Sequence, residues 1–140
     1  ATGKPFLDFY TVYGAIDSVR IINELCNTKF PEYKKQNDYA YGLWRSRNKD
    51  FIYKVEQYNQ TIVTKTSKGT EASYRNQMLE TAQAHEQNKV AMHKMFSDYG
   101  EATYRATCSA YREYTESGKA DFPNYYKEHM RVFESYWRNK

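Results

Sequence analysis

The stretch Met92-His93-Lys94-Met95-Phe96-Ser97-Asp98-Tyr99-Gly100-Glu101-Ala102-Thr103-Tyr104-Arg105-Ala106-Thr107-Cys108 decides how this chain folds. An inward stripe of Met92, Phe96, Gly100, Tyr104, Cys108 and Tyr111 follows the helical period through it. The same period extends back through His85 and Met78 to Tyr74, so Thr70 to about Glu116 reads as one helical segment with Gly100 in its interior. Gly100 either bends that segment or breaks it. Chain length favours the bend. The preceding helix, about Pro31 to Thr66, holds about 36 residues and spans roughly 54 Å. Running back that distance from Thr70 reaches about residue 106, level with the other cysteine, Cys26. A reversal at Gly100 would carry Cys108 about 12 Å back along the bundle. The expectation is therefore a continuous, bent third helix.

The other segments are helical too. From about Lys4 to Thr28 the apolar steps are Phe9, Val12, Ile16, Val19, Ile22 and Cys26, which places Cys26 on the buried face. Pro31 is suited to open the next helix, since its missing N–H is not needed there. That helix carries the stripe Tyr41, Trp44, Asn48, Phe51, Val55, Tyr58 and Ile62, with a polar residue, Asn48, at one inward position. Gly69 and Thr70 supply a helix stop and the next N-cap. A last helix from Phe122 has the stripe Phe122, Tyr126, Met130, Phe133 and Trp137. The shorter first and fourth helices are expected to cover only the cysteine end. The far end, roughly Gln57 to Gln83, then projects as a hairpin whose tip offers Lys65, Lys68, Tyr74 and Arg75 to a partner.

At 140 residues the chain is expected to form a single helical domain, 1–140, with a real core. Fifteen Tyr, seven Phe and two Trp outweigh Leu, Ile and Val, so aromatics build much of that core and line its wet margins. No apolar run approaches the roughly 18 residues of a membrane span. A net charge of +4 suits weak attachment to anionic surfaces but is not the dense basic face of a nucleic-acid binder. Aromatic and basic residues do interleave, as at Tyr104-Arg105 and Tyr136-Trp137-Arg138, yet Tyr104 and Trp137 fall on inward stripes. Nucleic acid is therefore not the expected partner.

Catalytic and metal signatures are missing from the sequence. His85 and His93 stand eight residues apart, more than two turns, too far to chelate one ion together. No Glu-x-x-His supports a di-iron bundle, and no Cys-x-x-Cys-His a covalent haem. No Ser or Thr sits in a nucleophile elbow, and Asp98 with Glu101 reads as solvated caps. Neither a metal nor another cofactor is expected, and no enzymatic role. His85 lies on the inward stripe, where Asn48, His85 and Gly100 could frame a small pocket. Asn59-Gln60-Thr61 matches the glycosylation acceptor pattern, which matters only in a eukaryotic secretory pathway.

Two cysteines, an even count, and a numbering that opens at Ala1-Thr2-Gly3 without Met fit a mature exported chain with one Cys26–Cys108 disulfide. Two buried free thiols are the alternative. Cys26, Phe30-Pro31, Tyr41 and Trp44-Arg45-Ser46-Arg47-Asn48 resemble a pattern in small exported helical proteins of Gram-negative bacteria. That resemblance covers about 25 residues. It implies export, a helical fold and the disulfide, and it carries no activity. Bottom-up, Trp44 would pack inside while Asn48 with Arg45 or Arg47 satisfies polar groups at the end of the first helix.

The sequence thus leads to an all-α, antiparallel four-helix bundle with a long bent third helix and a projecting hairpin, periplasmic or secreted. Its expected role is non-catalytic binding of a protein or cell-envelope partner. The alternative is a helical bundle that binds a small ligand or metal near His85.

Overall fold

In the computed structural model, which describes residues 1–139 and Asn124 by its backbone alone, every regular element is helical. The elements are α1 (Pro5–Lys29), a 3-10 turn (Pro31–Tyr33), α2 (Lys34–Arg47), α3 (Lys49–Thr66), α4 (Glu71–Asp98), α5 (Glu101–Glu116), α6 (Phe122–Tyr125) and α7 (Lys127–Arg138). Pro5 opens α1 at a position that has no use for its missing N–H. Asp8, fully buried, accepts hydrogen bonds from the Thr2 N–H (2.8 Å), the Thr2 hydroxyl (2.9 Å) and the Gly3 N–H (3.1 Å), which folds the first residues onto the helix. Burial pushes this carboxyl up, but these bonds together hold it below the ordinary carboxylate value.

Partners along α1 fix the direction of everything else. The Tyr10 hydroxyl donates to Asn59 of α3, while Asn23 and Asn27 donate to Asp38 of α2, so α2 and α3 run antiparallel to α1. Asp17 meets His85 and Glu24 meets Lys89, so α4 runs parallel to it. Cys26 meets Cys108 (Sγ–Sγ 2.07 Å), and the Tyr111 hydroxyl donates to the Val19 carbonyl (2.9 Å), so α5 runs antiparallel again. In α7, Phe133 packs on Phe9 and Trp137 on Phe6, the same sense as α5.

The expected continuous third helix is broken at Gly100. Its φ of +100° and ψ of 156° lie outside the helical region and suit glycine alone. Tyr104 returns to within 5.2 Å of the Phe96 ring and 5.8 Å of the His93 ring. One straight helix would hold these residues about 12 and 16 Å apart. The chain reverses, yet the cysteines still meet, because Cys26 lies one turn before the end of α1, where α5 begins its return.

The expected second helix is divided as well, at Asn48 (φ −102°, ψ 12°). The side-chain amide of Asn48 donates to the Trp44 carbonyl (2.9 Å), competing with the backbone for that acceptor. Backbone bonds from Asn48 to Trp44 and from Ile52 to Asn48 persist, so the chain is kinked rather than turned.

Three buried clusters stack along α1. Phe9, Val12, Val55, Ile62, Met130 and Phe133 fill one end. Val19, Trp44, Ile52, Tyr111, Ala120 and Phe122 form the middle. Ile21, Leu25, Cys26, Phe30, Tyr104 and Cys108 close the other end. This corrects the expected thin, free hairpin. Because α5 takes the cysteine end, α7 is delivered to the opposite end, where with the start of α1 it buries Ile62. Only residues 68–70 of the turn and α4 remain outside. None of the 28 residues of α4 is buried.

The motif Trp44-Arg45-Ser46-Arg47-Asn48 also acts elsewhere than expected. Trp44 Nε1–H donates to the Ala120 carbonyl (2.8 Å), and Arg47 grips the Asp121 carboxylate (2.9 and 3.0 Å) and the Thr115 carbonyl (2.6 Å). Asn48 donates to Asp121 (3.1 Å) and accepts from the Phe122 N–H (3.4 Å). These residues therefore satisfy the connection between α5 and α6, not the end of α1. Arg45 stays outside the clasp, 3.6 Å from Glu56.

Candidate functional site

The chemistry left uncommitted by the core lies along the seam between α1 and α4. The side of α4 that faces α1 and α3 presents half-buried Gln77, Thr81, His85, Lys89, Met92 and Phe96, at steps of three and four. Met78, expected inward, is 42 % exposed, and Gln77 takes its place, accepting from the Thr66 hydroxyl (2.7 Å). The helix is therefore held largely by polar contacts.

The centre of the seam is an ion cluster. His85 Nδ1 stands 2.7 Å from Asp17 Oδ2 and 2.8 Å from the Arg20 guanidinium. Arg20 can only donate and the carboxylate can only accept, so Nδ1 serves one of them at a time. Arg20 also donates to Asp17 (2.8 Å), and Lys89 pairs with Glu24 (3.2 Å). Below this cluster, between α1, α2 and α3, Tyr13, Tyr41, Arg20, Arg45, Asp17 and Glu56 line a cleft of about 190 Å³. Burial, then the nearby Asp17 and Glu56, pushes the Tyr13 phenol up.

Toward the cysteine end the seam opens into a groove of about 460 Å³ between α1, α4 and α5. Leu25 and Val90 are on its walls with the buried ring of Tyr104, and Lys29, Lys89 and His93 bring nitrogen to it. Glu86 is its one acid. His93 Nδ1 is 3.1 Å from the Tyr104 hydroxyl, whose pKa burial raises.

Asn48, His85 and Gly100 do not come together as one pocket. Asn48, 3 % exposed, spends its amide on Trp44, Asp121 and Phe122, while His85 is bonded to α1 and Gly100 forms the α4–α5 turn. The three share no partner: His85 and Gly100 are about 22 Å apart along α4, and Asn48 is spent on the connection between α5 and α6. Cys26 and Cys108 do meet, both fully buried. Of the hairpin residues, Lys65 lies over the Trp137 ring (4.6 Å), and Lys68 takes a positive φ of 53° in the turn. Tyr74 accepts a long bond from Gln60 (3.5 Å), and Arg75 faces Glu71 (3.9 Å) in solvent. Asn59 of the glycosylation pattern is 7 % exposed and bonded to Tyr10, which closes it to a glycan in the folded chain. Asp98 pairs with Lys94 (2.7 Å), as a solvated surface acid does.

Sequence reasoning missed Lys29, Lys89, Val90 and the His93–Tyr104 pair. The signal available was Asp98-Tyr99-Gly100-Glu101, a glycine stop followed by an acidic helix start, which would have folded Tyr104 back onto His93. Among the described residues, no group of three His, Cys, Asp or Glu could hold a metal ion, and no helix is long and apolar enough to cross a membrane. Comparison with protein-family models, curated proteins and solved structures found no match to this chain.

Proposed function

We propose that this chain is an exported, non-catalytic binding protein whose outer helix α4 contacts a protein or cell-envelope partner. The observation that supports it is α4 itself: 28 residues without a buried one, carrying Met78, Leu79, Val90 and Met95 in solvent, with Tyr99 at its C-cap, at 42–68 % exposure. Apolar side chains kept in water along a helix with no fully buried residue support its use as a contact surface. Lys68, Tyr74 and Arg75 extend it at the turn, where the positive charges of Lys68 and Arg75 suit an anionic surface. Lys65 adds a cation beside them, stacked on Trp137. Two buried cysteines at disulfide distance are compatible with a periplasmic or secreted setting.

The test is retention of envelope material from the producing organism on immobilised protein. A Met95→Glu, Tyr99→Ser double variant, shown folded by circular dichroism, should lose that retention. Equal retention by the two proteins rejects α4 as the contact. A second reading, binding of a small ligand, is favoured by the 460 Å³ groove beside His93 rather than by the Asn48–His85–Gly100 set.

A further inference from the structure

We infer that the groove at the cysteine end of the α1–α4 seam binds an amphipathic monocarboxylate, its chain along Leu25, Val90 and Tyr104 and its head between Lys29 and His93. This rests on the small-ligand reading and names its ligand class.

The head follows from which donors remain unused. Lys29 has no acidic side chain at ion-pair distance among the described residues, whereas Lys89 is turned to Glu24 (3.2 Å). The Tyr104 hydroxyl is protonated over the ordinary pH range, because burial raises its pKa. Its hydrogen-bond partner among the described residues is His93 Nδ1 at 3.1 Å. A buried hydroxyl proton without an acceptor is costly, so Tyr104 donates to Nδ1, and in that tautomer the His93 ring proton sits on Nε2. Nε2–H is thereby a donor, and His93 is an exposed residue on the groove.

The charge balance sets the valence. Lys89 is balanced by Glu24, which leaves Lys29 as the lysine of the lining open to a carboxylate, and a second negative charge would face Glu86. The tail follows from the walls. Val90 is 68 % exposed and Leu25 and Tyr104 lie behind it, a surface an acyl or aryl chain covers and a polar solute does not. A volume of about 460 Å³ falls in the range of small-molecule sites.

Calorimetric titration of the full chain with octanoate, octanol and octylamine tests the inference. Octanoate should bind about tenfold more tightly than octanol, the discrimination expected of hydrogen bonds to a charged group. Lys29→Ala should erase most of that preference while leaving octanol binding unchanged, and Val90→Glu should abolish octanoate binding. Equal affinity for octanoate and octanol, tighter binding of octylamine, no binding at all, or an unchanged preference in Lys29→Ala would each overturn it. Met95 and Tyr99 do not line the groove, so the envelope-retention assay can fail while this one succeeds, and the reverse.

Discussion

Removing the covalent tie between Cys26 and Cys108 is the sharpest perturbation the fold offers. The two residues are separated by 82 positions, so the tie closes most of the chain into one loop. In the chain-entropy treatment, a loop of that length lowers the entropy of the unfolded state enough to stabilise the fold by about 4.5 kcal/mol. For a chain of this size the entropy of unfolding is about 0.3 kcal/mol/K, so loss of the tie should lower Tm by about 15 °C. A Cys26→Ala, Cys108→Ala variant also removes two fully buried sulfurs packed among Ile21, Leu25, Phe30 and Tyr104, a small cavity cost that the reduced wild type does not carry. Calorimetric melting of the wild type, of the double variant, and of the wild type in reductant measures the effect, with intact-mass analysis after alkylation as the chemical control. Reductant and double variant should agree to within a few degrees. Unlinked thiols in the untreated protein, or a fall in Tm below about 4 °C on losing the tie, would refute the reasoning. The path of α5 along α1 would then owe nothing to the cysteines.

Asn48→Ala should destabilise the chain by about 1–3 kcal/mol in urea denaturation, because it leaves the buried Phe122 N–H without its partner and removes one of the bonds to Asp121, which Arg47 still holds. A loss under about 0.5 kcal/mol would show that the kink and the clasp are independent of this amide. pH should act with opposite signs at two sites. Burial, then the hydrogen bond to Glu134 (2.8 Å), pushes the Tyr58 phenol up to about 12, so its contribution is full below pH 10 and is lost as pH rises from 10 toward 12. The Arg47 bonds hold the Asp121 carboxyl below 3.8, so its contribution is full above that value and is lost as pH falls beneath it. Tyr58→Phe should flatten the alkaline limb of a stability–pH curve, and an unchanged limb would assign it to other groups.

How legible all this was in the sequence depends on the kind of information a stripe carries. Phe9, Val12, Val19, Cys26, Trp44, Val55 and Ile62 were placed inward by period alone, and all are buried. Tyr104, Cys108 and Tyr111 were equally visible, and their link to Cys26 stands. What period cannot encode is the sign of φ at a glycine. The stripe from Phe96 to Cys108 runs on in phase whether Gly100 continues the helix or reverses it, and length arithmetic chose the wrong branch. That one dihedral moved α7 to the far end and buried Ile62 beneath it. The candidate site was legible only in part, since Lys29 and Val90 sit off every apolar stripe and meet through the tertiary path alone.

The two features that drew most notice in the sequence, the Trp-Arg-x-Arg-Asn run and the inward His85, turn out to be consumed by the fold. Trp44, Arg47 and Asn48 direct their bonds at residues 115–122. His85 directs its own at Asp17. A group already bonded within the chain gives a ligand only the difference between two similar interactions, which is small. An unpaired lysine and an aliphatic side chain left in water give it the whole of theirs. Binding capacity therefore belongs where satisfaction stops. In this chain that is the outer side of α4 and the groove where Lys29, Val90 and His93 converge.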